Sequence, residues 1–377
     1  MSRPDVRLAV VADAVEPFHT GGKEARYAAL LPRVAGHGVT VQVHTMRWWD
    51  GEPPTVPGLT FRALGRRWDL YAGARRSIWQ AVAFAGSTVR MLTRRFDVLE
   101  ADAIPFLPLF PLRLVTWARR ARFVVTWHEV WGREYWRSYL GPLGVVAAAL
   151  EKLAASLPDH IVAASEGTAE RLRDLGVAAD RITVVPNGVD QAEIDAAPVS
   201  DTVGDLLCVG RLLAHKNVHV LLDAVAILHE RGRPVTLTVI GTGPENERLQ
   251  QQVARLGLTG HVEVLEPLDE RRHLLAAMKG ARVLAFPSER EGFGMVALEA
   301  LACGTPVVTS DHPDNHARHL VADGVNGAIS PVDPAALADA LGRTLDHAES
   351  YREGARATAR DYSWDALAST LAKVVVP

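Results

Sequence analysis

Glu291 and Glu299 make the strongest chemical demand in this chain of 377 residues. Seven residues separate them in the run Glu-Gly-Phe-Gly-Met-Val-Ala-Leu-Glu. From Met295 to Cys303 every residue except Glu299 is apolar, so a helix there is buried on most faces. Its carboxylate then needs a partner with hydrogens to give. A neighbouring Arg or Lys would serve, and so would the hydroxyls of a ligand. Gly292-Phe293-Gly294 come just before, and the N–H groups of Phe293, Gly294 and Met295 have no partner within the first helical turn. Such a helix start suits an anion. Two hydroxyl-accepting carboxylates around an anion nest describe a site for a sugar–phosphate–nucleoside.

Other groups have the same character. Arg211 and Lys216, five apart after the apolar run Leu206–Gly210, can converge on one polyanion, the Arg as a fork and the Lys as a point charge. Plain surface charge is the alternative. Gly241-Thr242-Gly243-Pro244 follows the apolar Leu237–Ile240 and invites a dinucleotide reading. Asn246 stands where the third glycine of that fingerprint belongs, although Glu263 falls where a ribose-binding acid would. Gly21-Gly22 opens a helix after the strand-like Val6–Ala12, either for close approach to a phosphate or as a tight turn. His128 follows Phe123–Trp127, where a strand ends, and can be structural or catalytic.

These residues need rigid elements to hold them. Val283–Phe286 reads as a buried strand, 288–291 as a polar loop, 295–303 as a helix stopped by Gly304 and Pro306, and Pro306–Thr309 as the next strand. The same alternation recurs in the first half, with a helix over about Lys23–Ala35, a strand over Val39–Thr45 and another at Asp159–Glu166. Strand, helix, strand in succession predicts open parallel sheets, which bind ligands beyond the carboxyl ends of their strands. A chain this long exceeds one ordinary core, so two domains are expected.

Composition narrows the class. Apolar residues make up 48% and charged residues 23%, as in a folded enzyme rather than a disordered chain. The net charge of −3 gives no reason to expect nucleic acid. Cys208 and Cys303 are the only cysteines, both inside apolar runs, which excludes a disulfide framework and suits the cytoplasm. No Asp-x-Asp and no His/Cys cluster occurs, so no catalytic metal is implied. No signal peptide and no membrane span is expected. The charge is uneven: 24 Lys/Arg against 19 Asp/Glu over residues 1–190, and 17 against 25 afterwards. From Arg62 to Arg122 there are twelve Arg and four acids, interleaved with Trp68, Tyr71, Trp79, Phe84 and Phe96. Within it, about Gly73–Leu92 fits an amphipathic helix with Ile78, Val82, Ala85, Val89 and Leu92 on one face. Either a solvated basic face surrounds a core helix, or the segment is drawn to an anionic membrane surface or acidic acceptor.

The stretch EGFGMVALEALACGTPVV resembles the signature of retaining, nucleotide-sugar-dependent glycosyltransferases of the GT-B fold, family 4. VGRLLAHKN resembles that family's diphosphate clamp, TWHEVWG its strand-end histidine motif, VVPNGVD its interdomain crossing and Asp361-Tyr362-Ser363-Trp364 its late aromatic motif. The resemblance implies two doubly wound Rossmann-like α/β domains facing across a cleft, about 1–190 with the tail 363–377 packed back on it, and about 200–362. It implies transfer of a sugar from a nucleoside diphosphate, UDP ahead of GDP, to an unidentified acceptor hydroxyl. The configuration is retained, and neither metal nor cofactor takes part. Gly21, Gly22, Gly210, Gly241, Gly243 and Leu268 would border the donor. Arg211, Lys216 and the amides of Phe293, Gly294 and Met295 would hold its diphosphate, Glu299 the ribose and Glu291 the sugar. His128 would steady the sugar from the other domain, while His19, Lys23, Glu129 and Trp131 would line the acceptor side. No enzymic nucleophile is assigned. Two rival readings are a nicotinamide oxidoreductase, weakened by Asn246, and a catalytically silent sugar-nucleotide-binding protein.

Overall fold

The computed structural model describes residues 6–19, 22–72, 75–268 and 270–376. Gly21 of the expected glycine pair lies outside the described residues. The chain divides into two compact units, Met1–Asn187 with Trp364–Pro377 and Gly188–Ser363. No described helix is long and apolar enough to cross a membrane.

The first unit runs β1 (Val6–Val11), α1 (Gly22–Ala35), β2 (Val39–Met46), β3 (Leu59–Gly65), the short antiparallel pair β4 (Tyr71–Ala72) and β5 (Arg75–Arg76), then α2 (Ile78–Thr88). It continues through β6 (Val98–Asp102), α3 (Leu109–Arg119), β7 (Arg122–Trp127), α4 (Gly132–Leu140), α5 (Gly144–Ser156), β8 (His160–Ala163), α6 (Glu166–Asp174) and β9 (Ile182–Val184). Seven strands form one parallel sheet in the order β3-β2-β1-β6-β7-β8-β9. Its central strands are Val- and Leu-rich and buried on both faces, as helix-covered parallel strands must be. Right-handed crossovers put α2, α3, α4 and α5 on one face and α1 on the other.

The sequence expectation fails at α2. The helix starts at Ile78, where the Ser77 hydroxyl accepts from the Gln80 amide, and ends at Thr88 in a 3-10 turn, Val89–Thr93. The apolar stripe read as a core face points to solvent: Ile78, Val82, Val89 and Leu92 are exposed, while Gln80, Ala81, Phe84, Ser87 and Thr88 are buried. The small and polar side of α2 packs inward because it covers α3 and β3 closely.

The second unit runs α7 (Gln191–Ala196), β10 (Leu206–Val209), α8 (Val218–Glu230), β11 (Leu237–Ile240), α9 (Asn246–Arg255), β12 (Val262–Leu265), α10 (Arg271–Gly280) and β13 (Val283–Phe286). There follow α11 (Met295–Ala302), β14 (Val307–Ser310), β15 (Gly327–Ser330), α12 (Pro334–Asp346) and α13 (Ala348–Arg360). Its six parallel strands are ordered β12-β11-β10-β13-β14-β15. Strand alternation divides the core in two. Leu206, Cys208 and Val239 pack with α8 and α12, and Leu207, Val209 and Ile240 pack with α10, α11 and α13. The last helix, α14 (Trp364–Val375), returns to the first unit and buries Leu367, Ala368 and Leu371 against α1.

Candidate functional site

In the second sheet the chain leaves β10 towards β11 and β13 towards β14, so neighbouring strands send their loops in opposite directions. A crevice opens at that switch point, where open α/β sheets bind ligands. Two loop contacts shape it. Asn217 adopts a left-handed conformation (φ 54°) and donates from its side-chain amide to Pro287 O at 3.1 Å, while Glu289 N donates to His215 O at 2.9 Å. The loops after β10 and β13 are thereby tied, and Lys216 forms an ion pair through Nζ with Glu291 Oε1. The ammonium also lies 5.5 Å from the Phe286 ring centre. Glu291 is fixed through its backbone, donating to Asp314 O and accepting from His316 N. Arg211 is exposed and lines, together with Lys216, a small pocket walled by Cys208, Val209, Phe286 and Pro287. Burial pushes the Cys208 thiol up to about 12, so it stays an uncharged wall. Lys216 and Glu291, read from the sequence as two separate binding groups, are thus one ion pair beside an exposed guanidinium.

Gly294 begins α11 at φ 92°, and a Cβ there would lie 2.4 Å from the Ala317 Cβ, so only glycine fits. The amides at the start of α11 follow from this turn. Phe293 leans on Tyr362 with ring centres 5.9 Å apart. Glu299 is buried, and of the two partners open to it the structure supplies the internal one. Arg271 Nη1, at the start of α10, donates to Glu299 Oε1 at 2.7 Å and reaches Glu193 Oε2 through Nε at 3.0 Å. Burial raises the Glu299 pKa, and Arg271 pulls it back. Nothing in the local sequence pointed to Arg271, which stands 28 residues away on another helix.

The glycines after β11 have a packing reason. A Cβ on Gly241 would lie 1.9 Å from Gly210 O, and one on Gly243 would lie 2.3 Å from Leu212 O. They let the β11 loop lie on the β10 loop, joined by Gly210 N to Ile240 O and Leu212 N to Thr242 O. Close backbone contact accounts for the Gly-x-Gly pair, and the dinucleotide reading loses its basis. Leu268 stands exposed in the loop after β12.

The first sheet has its own switch point, between β1 and β6. Lys23, in the first turn of α1, spans it: Nζ lies 2.7 Å from Asp13 Oδ1, beyond β1, and 2.7 Å from Asp102 Oδ2, at the end of β6. Gln80 Nε2 donates to the other Asp13 oxygen at 3.2 Å. His128, after β7, brings Nε2 to 3.9 Å from Asp102 Oδ1. Burial pushes its pKa down to about 4 against the pull of Asp102, so the imidazole is neutral at neutral pH. His19 meets the Trp48 ring edge-on at 4.2 Å, and Gly22 is exposed at the head of α1. Asp13 and Asp102 were missed in the sequence, where each is a lone carboxylate at a strand end.

Trp131 has a structural task. Its amide and that of Gly132 donate to the buried Glu151 carboxylate at 2.8 and 2.9 Å, with Trp136 Nε1 at 3.0 Å. Glu151 thereby satisfies the free amides at the start of α4. The Trp131 ring packs against Tyr135, Trp136 and Tyr139. Glu129 is half-buried next to it.

With this geometry established, comparison with known proteins defines the class. Along 98% of its length the chain superposes on the crystal structure of Anabaena HepE in complex with UDP, covering 99% of that chain with a TM-score of 0.72 at 18% identity. That likeness carries the fold, which is GT-B. The model for Glycosyltransferase Family 4 matches residues 20–193, and that for Glycosyl transferases group 1 matches residues 190–361. The chain belongs to this family of glycosyltransferases, as its motifs led us to expect. It is 36% identical over 254 residues to the D-inositol 3-phosphate glycosyltransferase of Xylanimonas cellulosilytica, a match covering 62% of this chain and 60% of that one. It is 32% identical over 242 residues to the glycogen synthase of Mycobacterium tuberculosis, a match covering 62% of this chain and 58% of that one. The chain thus spans about 60% of the length of the first of these curated relatives.

Proposed function

We propose that this protein transfers a sugar from a nucleoside-diphosphate sugar to an acceptor hydroxyl, with retained configuration and without a metal ion, and that UDP is the preferred nucleotide. The observation that carries the proposal is the paired placement of Arg211 and Lys216 around one pocket at the switch point of the second sheet. A departing diphosphate gains negative charge as the glycosidic bond lengthens. Fixed cations aimed at it therefore act most strongly in the transition state. Arg211 has an exposed fork of donors for two phosphate oxygens. Lys216 reaches the diphosphate by sharing its ammonium with Glu291, whose second oxygen is left to accept from donor-sugar hydroxyls. The amides of Phe293, Gly294 and Met295 extend the same positive field.

Glu299 accepts from the ribose through the oxygen that Arg271 does not engage, and Arg271 opposes the burial that raises the pKa of that carboxylate. In the first unit, neutral His128 and the Asp13–Lys23–Asp102 cluster serve the acceptor and the sugar rather than the diphosphate. The acceptor's proton leaves to a phosphate oxygen of the departing diphosphate as the new bond forms, so no side chain forms a covalent intermediate.

The test is a thermal-shift panel of UDP-, GDP- and ADP-sugars followed by turnover in EDTA. A bound donor at a hundredfold excess over its Kd stabilises by about 2.7 kcal/mol. We expect the largest shift with a UDP-sugar and full activity in chelator. Activity lost to EDTA and restored by Mn²⁺ or Mg²⁺ would assign the diphosphate to a metal instead.

A further inference from the structure

Fifteen large apolar side chains are exposed among the described residues, and twelve of them lie between Ile78 and Leu153, on α2 with its 3-10 extension, on α3, and on α5 with the turn before it. The second unit exposes only Val199, Leu268 and Val325. Seven of the twelve lie on α2, its 3-10 extension and α3, which pack beside each other. The most protruding members are Trp79, Ile78 and Trp117, at 76%, 72% and 65% exposure. So much apolar surface on two adjoining helices marks a contact site rather than scattered surface residues.

Charge narrows the choice of partner. Residues 78–156 carry ten Lys/Arg and six Asp/Glu. Three of those acids, Glu100, Asp102 and Glu151, are buried, and Asp97 is ion-paired with Arg7. Arg90, Arg95, Arg119, Arg120, Arg133 and Arg137 are all exposed. The Arg113 guanidinium lies 5.3 Å from the Trp117 ring centre but is ion-paired with Asp159 at 2.8 Å, so the free charge of this region comes from the exposed arginines. Alongside α2, Arg66 and Arg90 line an open cavity of about 460 Å³ with Trp68 and Phe84, and Arg66 lies 4.7 Å over Trp68.

We propose that this face docks on an anionic lipid bilayer surface. Its apolar side chains enter the headgroup–acyl boundary, its arginines meet lipid phosphates, and the Arg66–Arg90 cavity seats one headgroup. Exposed aliphatic and Trp side chains ringed by Arg are the composition of an interfacial surface, where indole rings sit at headgroup depth. A second copy of the chain fits worse, because two such faces would set arginine rings of like charge against each other. None of these residues lines the pocket of Arg211 and Lys216 in the second unit, so the surface can be tested independently of glycosyl transfer.

The full-length protein would be floated with vesicles of phosphatidylcholine alone and with about a third phosphatidylglycerol, at low and high salt. We expect binding to the anionic vesicles at low salt, a loss of roughly fivefold for each of Arg119→Gln and Arg120→Gln, and weakening as salt shortens the Debye length. The triple variant Ile78→Ser/Trp79→Ser/Trp117→Ser, altered only at exposed positions, is expected to lose at least about tenfold in binding. Its melting temperature and its response to sugar nucleotides would be unchanged. No flotation with anionic vesicles at low salt overturns the proposal, as does unchanged flotation of the triple variant. A concentration-dependent dimer that the triple variant abolishes, without vesicle binding, gives the face to a second copy instead.

Discussion

The two units place a lysine at the same topological spot and surround it with opposite charge. Lys23 stands in the first turn of α1, after β1, and Lys216 stands just ahead of α8, after β10; each spans the switch point of its sheet. Both side chains are largely covered, at 13% and 19% exposure. Lys23 lies between two buried carboxylates, Asp13 and Asp102, so that trio retains one negative charge. Lys216 has one carboxylate, Glu291, and a neighbouring exposed Arg211, so that trio retains one positive charge. The same fold position therefore serves opposite ligand chemistry. On the proposed function, the polyanion falls to the second unit and neutral hydroxyls that can donate hydrogen bonds fall to the first.

The largest effect on stability is expected at Lys23, which neutralises two buried carboxylates. Lys23→Met leaves Asp13 and Asp102 buried without their cation, and loss of one partner from a buried pair costs roughly 3–5 kcal/mol. Denaturant unfolding should register that loss, and a stability change below about 1 kcal/mol would break the comparison. Arg211→Ala, at an exposed position, should instead leave the melting temperature nearly unchanged, and Lys216→Met should cost less stability than Lys23→Met because one carboxylate rather than two loses its cation. Each should lower kcat by about a hundredfold. A change confined to donor KM would mean that these cations bind ground and transition state alike.

Glu299→Gln is expected to lower nucleotide affinity by roughly ten- to a hundredfold, since one charge-assisted hydrogen bond contributes about 1.5–3 kcal/mol. Arg271 at the surface becomes solvated when its partner is neutralised, so the fold survives. A nucleotide lacking both ribose hydroxyls should bind the variant no worse than it binds the parent. Additive losses in that cycle would assign Glu299 to Arg271 alone.

The smallest effect separates the units by acid sensitivity. Burial, with Arg94 and Arg62 nearby, pushes the pKa of His44 down to about 3. Below about pH 6.5 the unfolded chain binds a proton that the native state refuses, so this stability is complete above that pH and is lost as pH falls towards the native value. Between pH 7 and pH 5 the loss is about 2 kcal/mol, partly opposed by Glu100 and Glu151, whose pKa values burial raises. His44→Leu should reduce the slope of the melting temperature against pH over that range, the remaining slope coming from His128, whose pKa burial pushes down to about 4. An equal slope in parent and variant would show that His44 titrates normally.

The sequence revealed some of this architecture and hid the rest for physical reasons. Strands such as Val283–Phe286 were legible because apolar residues buried on both faces leave an unbroken run. Gly294 and α11 were legible from the glycine that permits the turn. The Lys216–Glu291 pair joins residues 75 apart, and Arg271–Glu299 joins residues 28 apart on different helices, so strand order had to bring them together. The stripe on α2 was visible as a period, but periodicity identifies an apolar face without saying what it meets. It faces solvent because Phe84 and the small residues opposite it already fill the contact with the sheet.

The return of α14 to the first unit has an architectural consequence. The second unit is a single uninterrupted segment, Gly188–Ser363, and its two ends are bridged to each other, Val189 pairing with Ser363 and donating to Tyr362 O at 2.9 Å. A segment whose ends meet is a closed cassette, with its own sheet and two apolar layers. Exchanging it between family members requires just two junctions, both beside the same backbone bridge. If the proposed function holds, nucleotide preference can then be transplanted as one block while the first unit, with its exposed apolar helices and its lysine between two aspartates, is left unchanged.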